Sequence, residues 1–95
     1  MPRIKWLERA VQDLDSISEY ISQDDPKSAR KVVTAILKNV KSLEQHPQIG
    51  RAGRVSGTRE LIVLKGAYLV AYCCNEDVEI LRVLRHSQDW RGVLE

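Results

Sequence analysis

The sequence predicts an α+β fold: an N-terminal short strand, then an antiparallel two-helix hairpin packed on a mainly antiparallel four-stranded sheet. Three observations predict it. Apolar residues recur at three-and-four spacing over residues 7–22 and again over 26–43. Three runs rich in Val, Ile, Leu and Tyr then follow one another, separated only by short turns. With 95 residues, the chain has room for one hydrophobic core, so residues 1–95 read as a single domain.

Residues 3–6 alternate polar and apolar and suit a short strand on one sheet edge. From Leu7 the period changes: Leu7, Ala10, Val11, Leu14, Ile17, Tyr20 and Ile21 share one stripe, and Glu8, Asp13, Asp15 and Glu19 are expected on the wet side. Asp25 can cap the next helix with its carboxylate. Pro26 suits a first helical position, where its missing N–H costs nothing. The second stripe runs through Ala29, Val32, Val33, Ile36, Leu37, Val40 and Leu43, and Pro47 bars continuation. Two amphipathic helices joined this closely must pack antiparallel. Residues 46–58 hold three glycines and a proline and read as an irregular connection. The strand runs are Arg59–Lys65, Ala67–Cys74 and Val78–Arg85. Their short turns force a meander. The hairpin covers one sheet face, and the other face is left for work or for a partner.

The net charge of +2 divides evenly between the halves of the chain, which excludes a basic tail that binds nucleic acid by bulk charge. One local exception lies at Arg51, Arg54, Arg59 and Lys65, which face only Glu60; this cluster is a candidate target- or nucleic-acid-binding surface, or else a solvated connection. No apolar run approaches a membrane span, and the N-terminus lacks the apolar core of a signal peptide, so a cytoplasmic protein with no membrane partner is expected. Cys73 and Cys74 are neighbours, which makes a disulfide between them geometrically poor; buried thiols are expected.

Few chemistries find a constellation here. The histidines His46 and His86 lie far apart, and Cys73 and Cys74 point to opposite faces of a strand, so no metal site is expected. No phosphate-cradling loop is present, no nucleophile elbow, and no cofactor is implied. What remains is the last strand. Simple alternation puts Arg82 and His86 on one face, where an arginine could hold a phosphate while a histidine moves a proton. The plainer alternative is that both end a strand in solvent. Trp90 either stacks on a base or packs the tail against the sheet.

Three strings carry a resemblance: WLERAVQDLDSISEYI, HPQIGRAGRVSGTRELIV and AYLVAYCCNEDVEILRVLRHSQDW. Over nearly the whole chain they resemble the RelE/ParE superfamily of toxins from bacterial type II toxin–antitoxin systems. The resemblance implies a growth inhibitor, of the kind that serves plasmid stabilization, neutralised by a cognate antitoxin that lies along the hairpin and the sheet. Contact with DNA is then expected only through the antitoxin complex. RelE-like members cut messenger RNA on the ribosome with basic side chains on the sheet; ParE-like members poison DNA gyrase. Here the strand that would carry lysines reads Leu61-Ile62-Val63-Leu64, and Leu69 stands where an arginine would be. The ParE-like branch is therefore favoured, with non-catalytic gyrase poisoning as the leading reading. A ribosome-dependent endoribonuclease using Arg82 and His86 is the alternative, and an antitoxin-binding module without toxicity is a third.

Overall fold

The computed structural model describes residues 2–85. Its elements run β1 (Ile4–Trp6), α1 (Glu8–Ser22), α2 (Pro26–Lys41), a short 3-10 turn (Ser42–Glu44), β2 (Arg51–Ala52), β3 (Arg59–Val63), β4 (Tyr68–Cys74) and β5 (Val78–Arg85). The helix hairpin forms as its periodicity dictates. Asp25 accepts from the backbone N–H groups of Lys27 and Ser28 at 3.1 and 3.2 Å, and from the Ser28 hydroxyl at 2.7 Å. Those bonds hold its carboxyl below the usual aspartate range. Pro26 opens α2 as expected. At the start of α1 no side chain caps the helix; instead the Leu7 N–H donates to the Ile80 carbonyl at 3.0 Å, tying the helix start to β5.

Among the described residues the sheet has five strands in the order β1-β5-β4-β3-β2, antiparallel except for the β1–β5 pair. The additional strand is β2, inside the stretch that composition marks as irregular. Two residues suffice because Arg51 and Ala52 pair with Glu60 and Arg59, and the Gly53 N–H closes onto the Thr58 carbonyl at 2.8 Å. β3 ends at Val63, two residues before the sequence-based limit. Leu64 and Lys65 both adopt φ of 55°, followed by Gly66 at 95°. The Ala67 N–H then donates to the Leu64 carbonyl, so Lys65 and Gly66 are the two central residues of a primed hairpin turn. The left-handed backbone at Leu64 costs about 1 kcal/mol, offset by a tight, correctly twisted hairpin.

A bulge in the β4–β5 ladder changes which side chains share a face. Ala71 pairs with Arg82 but Tyr72 pairs with Ile80, leaving Leu81 unpaired. Simple alternation, which puts Val78, Ile80, Arg82 and Leu84 together, fails from that point. Val78 and Ile80 join Val83 in the main core under the helices, with Ile36, Val40 and Tyr72, whereas Leu84 packs with Leu69 and Ala71 on the opposite face. Among the described residues, no helix is long and apolar enough to cross a membrane.

Ile36 has no exposed surface and sits where α2 meets the sheet. Ile36→Ala should therefore cost about 2–5 kcal/mol. For a domain this small that lowers the melting temperature by at least about 10 °C. An unchanged thermal transition would show that α2 does not face the core as described.

Candidate functional site

Three regions hold the residues singled out in the sequence: the junction of α1 with β5, the loop before β3, and the sheet face turned away from the helices. At the first, β1 covers only Val78–Ile80 of the longer β5. Beyond it, Asp13 of α1 takes the place of a strand. Its carboxylate accepts from the Val83 N–H at 3.0 Å and holds Arg82 in a two-pronged pair, Nε at 2.6 Å and Nη2 at 2.9 Å. The Arg82 side chain is 10% exposed and that of Asp13 16%. The Asp13 hydrogen bonds push the Arg82 guanidinium further above its ordinary range, so it is a permanent cation. Asp13 therefore does not stay on the wet side of α1. Beside this pair lies a groove of about 340 Å³ whose walls include Ile17, Tyr20, Tyr68 and Val83.

In the loop, Glu60 is buried, and its carboxylate gathers the neighbouring cations. Arg51 donates from Nε and Nη2 at 3.2 and 2.9 Å, and Arg54 from its backbone N–H at 3.0 Å. Arg59 donates to the carbonyls of Gln48 and Gly50 at 3.1 and 2.8 Å. The Gly50 N–H in turn donates to the Tyr72 hydroxyl at 2.9 Å; a Cβ at Gly50 would lie 2.7 Å from that oxygen, so only glycine fits. Burial pushes the Tyr72 phenol above its ordinary value, against the opposing pull of this bond and of Arg59. Arg51, Arg54 and Arg59 thus organise the loop, while Lys65 stands exposed at the far end of β3. The structure does not bring Lys65 to the other three. His86 and Trp90 lie outside the described residues.

The outward sheet face is apolar along the row Ile62, Leu69 and Leu84, and charged beside Ala71, where Glu60 and Arg51 pair. Ile62 pairs with Leu69, and Leu69 with Leu84; Val55 from the loop packs against Leu69, Ala71 and Leu84. Leu69 is fully buried there. At the end of β4, the Cys73 thiol donates to Glu79 at 3.3 Å. Burial, reinforced by the neighbouring carboxylate, pushes that thiol up to about 11. Among the described residues, no three His, Cys, Asp or Glu side chains are grouped to hold a metal ion.

The family described as the ParE toxin of the type II toxin–antitoxin system parDE matches residues 4–90. This chain belongs to that family of toxins. The toxin is 44% identical to Y4kP, a candidate toxin of Sinorhizobium fredii, over 97% of this chain and 96% of that protein. It is 31% identical to toxin RelE2 of Caulobacter vibrioides, over 92% of this chain and 97% of that one. Among solved structures, it resembles a chain of a chromosomal ParDE system from P. aeruginosa, with a TM-score of 0.79 and 31% identity over 90% of this chain and 96% of the other. The resemblance read from the sequence is thereby borne out, and the ParDE likeness agrees with the ParE-like branch.

Asp13 and Glu60 are the residues that sequence reasoning missed. Asp13 follows Ala10 by three positions and precedes Ile17 by four, so helical spacing places it beside the buried stripe. Glu60 is the lone acid within a run of cations, which is a signal for a shared carboxylate.

A thiol at about 11 is protonated throughout the physiological range, and its thiolate fraction at pH 8 is roughly one in a thousand. Alkylation of Cys73 by iodoacetamide, followed by peptide mass spectrometry, should rise about tenfold per pH unit from pH 8 and level off near 11. A plateau reached by about pH 9 would show an unperturbed cysteine.

Proposed function

We propose that this toxin arrests growth by binding DNA gyrase and poisoning it, with no chemistry of its own. The reading rests on the outward sheet face. A ribonuclease of this fold needs cations there to hold phosphate, but Ile62, Leu69, Ala71 and Leu84 occupy most of it, Arg51 at its margin is tied to Glu60, and Arg82 is committed to Asp13. Leu69, Ala71 and Leu84 are buried, and Ile62 is the residue of this row left exposed, so the apolar surface offered to a protein centres on Ile62. Lys65 and Leu64, exposed at the hairpin tip, extend that contact surface.

A cognate antitoxin neutralises the toxin in the cytoplasm by lying along the helix hairpin. Val11, Tyr20 and Leu37 leave apolar surface on that hairpin, with Tyr20 69% exposed. The similar P. aeruginosa chain comes from a ParDE system. Binding to the folded toxin alone raises its apparent stability by mass action.

The test sets purified full-length toxin in a gyrase supercoiling reaction beside an in-vitro translation reaction. Supercoiling should be inhibited and transcripts left intact. His86→Ala should keep gyrase inhibition within about tenfold of the parent, as one residue of a contact surface. The ribonuclease alternative, to which the likeness to RelE2 lends weight, predicts cut transcripts in the parent. His86→Ala would then lose about 10²–10⁴-fold in cleavage, the ordinary cost of removing a general acid or base. That result would overturn the proposal. An inert parent in both reactions would indicate the third reading, a module that binds antitoxin without toxicity.

A further inference from the structure

We propose that the exposed face of α2 is a binding surface for the phosphate backbone of duplex DNA. The helix carries Lys27, Arg30, Lys31, Lys38 and Lys41 and no acidic residue at all. At 100° per residue these five fall within an arc of about 100°, opposite the side that buries Ala29, Ile36 and Val40. They form a ridge about 21 Å long at the helical rise. All five are exposed, and only Lys41 has an ion pair among the described residues, a surface contact with Glu44 at 3.5 Å.

The placement works against the helix itself. Lys27, Arg30 and Lys31 lie in its first turns, where the macrodipole disfavours positive charge. α1, packed alongside, has the opposite composition, with four acids and one arginine. The even charge balance of the chain therefore hides a segregation of charge between two neighbouring helices.

The chemistry of the ridge selects the ligand. Between the cations lie only Thr34 and Ala35, in a shallow open depression with no aromatic or large apolar side chain as anchor; the exposed Leu37 borders the ridge without lining that depression. Protein–protein contacts are built around such anchors and are depleted in lysine. A polyphosphate backbone is instead held by lysine and arginine as point charges, with no need for an apolar centre. Duplex DNA is regular enough to run along a straight 21 Å ridge of the estimated length, engaging several phosphates without reading sequence. This departs from the sequence-based expectation that DNA is reached only through the antitoxin complex, and it holds whichever target the toxin arrests.

The experiment is fluorescence anisotropy of a labelled random-sequence duplex titrated with the full-length chain, from about 50 to about 200 mM salt. The parent should bind with a slope of log K against log salt of about −3.6 to −4.5, from about four or five phosphate contacts. The double variant Lys31→Gln/Lys38→Gln should flatten that slope by about 2. Lys31→Arg/Lys38→Arg keeps the charges and should keep the slope. Both variants alter exposed positions, and thermal melting checks that they fold like the parent. Three outcomes overturn the proposal. The parent shows no binding at low salt; the glutamine variant binds as the parent does; or poly-glutamate is bound and DNA is not, which would assign the ridge to an acidic protein.

Discussion

One carboxylate governs how the toxin is put together. β5 is eight residues long and β1 three, so most of one edge of β5 has no strand beside it among the described residues. Asp13 closes that gap by accepting from the Val83 N–H and from Arg82 at once. An open edge would be a template for pairing with other chains; here a helix covers it with one acceptor of the right charge. The pair also fixes how closely α1 approaches the sheet. Arg82 deprived of its partner would be a buried cation, at a cost of about 3–5 kcal/mol, a large share of the stability of any small domain.

The same arrangement decides what the site can do. An arginine held by a carboxylate at 2.6 and 2.9 Å is not free to clamp a phosphate. Glu60 does the corresponding work at the other side of the sheet, where Arg51 and the Arg54 backbone converge on it. In both places cations singled out in the sequence are held by a carboxylate, Arg82 by Asp13 and Arg51 by Glu60. Under the proposed function, the surface left for contact is the exposed Ile62 with the hairpin tip, and the basic ridge of α2 is a second, independent proposal.

Much of the fold was legible because helical periodicity is a strong signal. The spacing of Leu14, Ile17, Ile36 and Val40, and the Asp25-Pro26 start, gave both helices to within a residue or two. Where the sequence misled, a local event broke a regular rule. The unpaired Leu81 reverses the alternation of β5, so Val83 and not Leu84 faces the helices. β2 is two residues long, too short for any pattern, and exists through its pairing with β3. Reading α1 for apolar residues alone left Asp13 among the solvated acids. Counting charge by halves of the chain concealed the contrast between α1 and α2. Arg82 stands out in the sequence, but its partner Asp13, on a distant element, does not.

The claim that Asp13 stands in for a missing strand can be tested at a single amide. Native-state hydrogen exchange should show the Val83 N–H of the parent protected to the same degree as the ladder amides of β4. In Asp13→Ala, Val83 should lose protection by clearly more than those amides, since it loses its acceptor as well as its share of the global stability. Rapid exchange at Val83 in the parent, or an equal loss at Val83 and throughout β4 in the variant, would contradict the account.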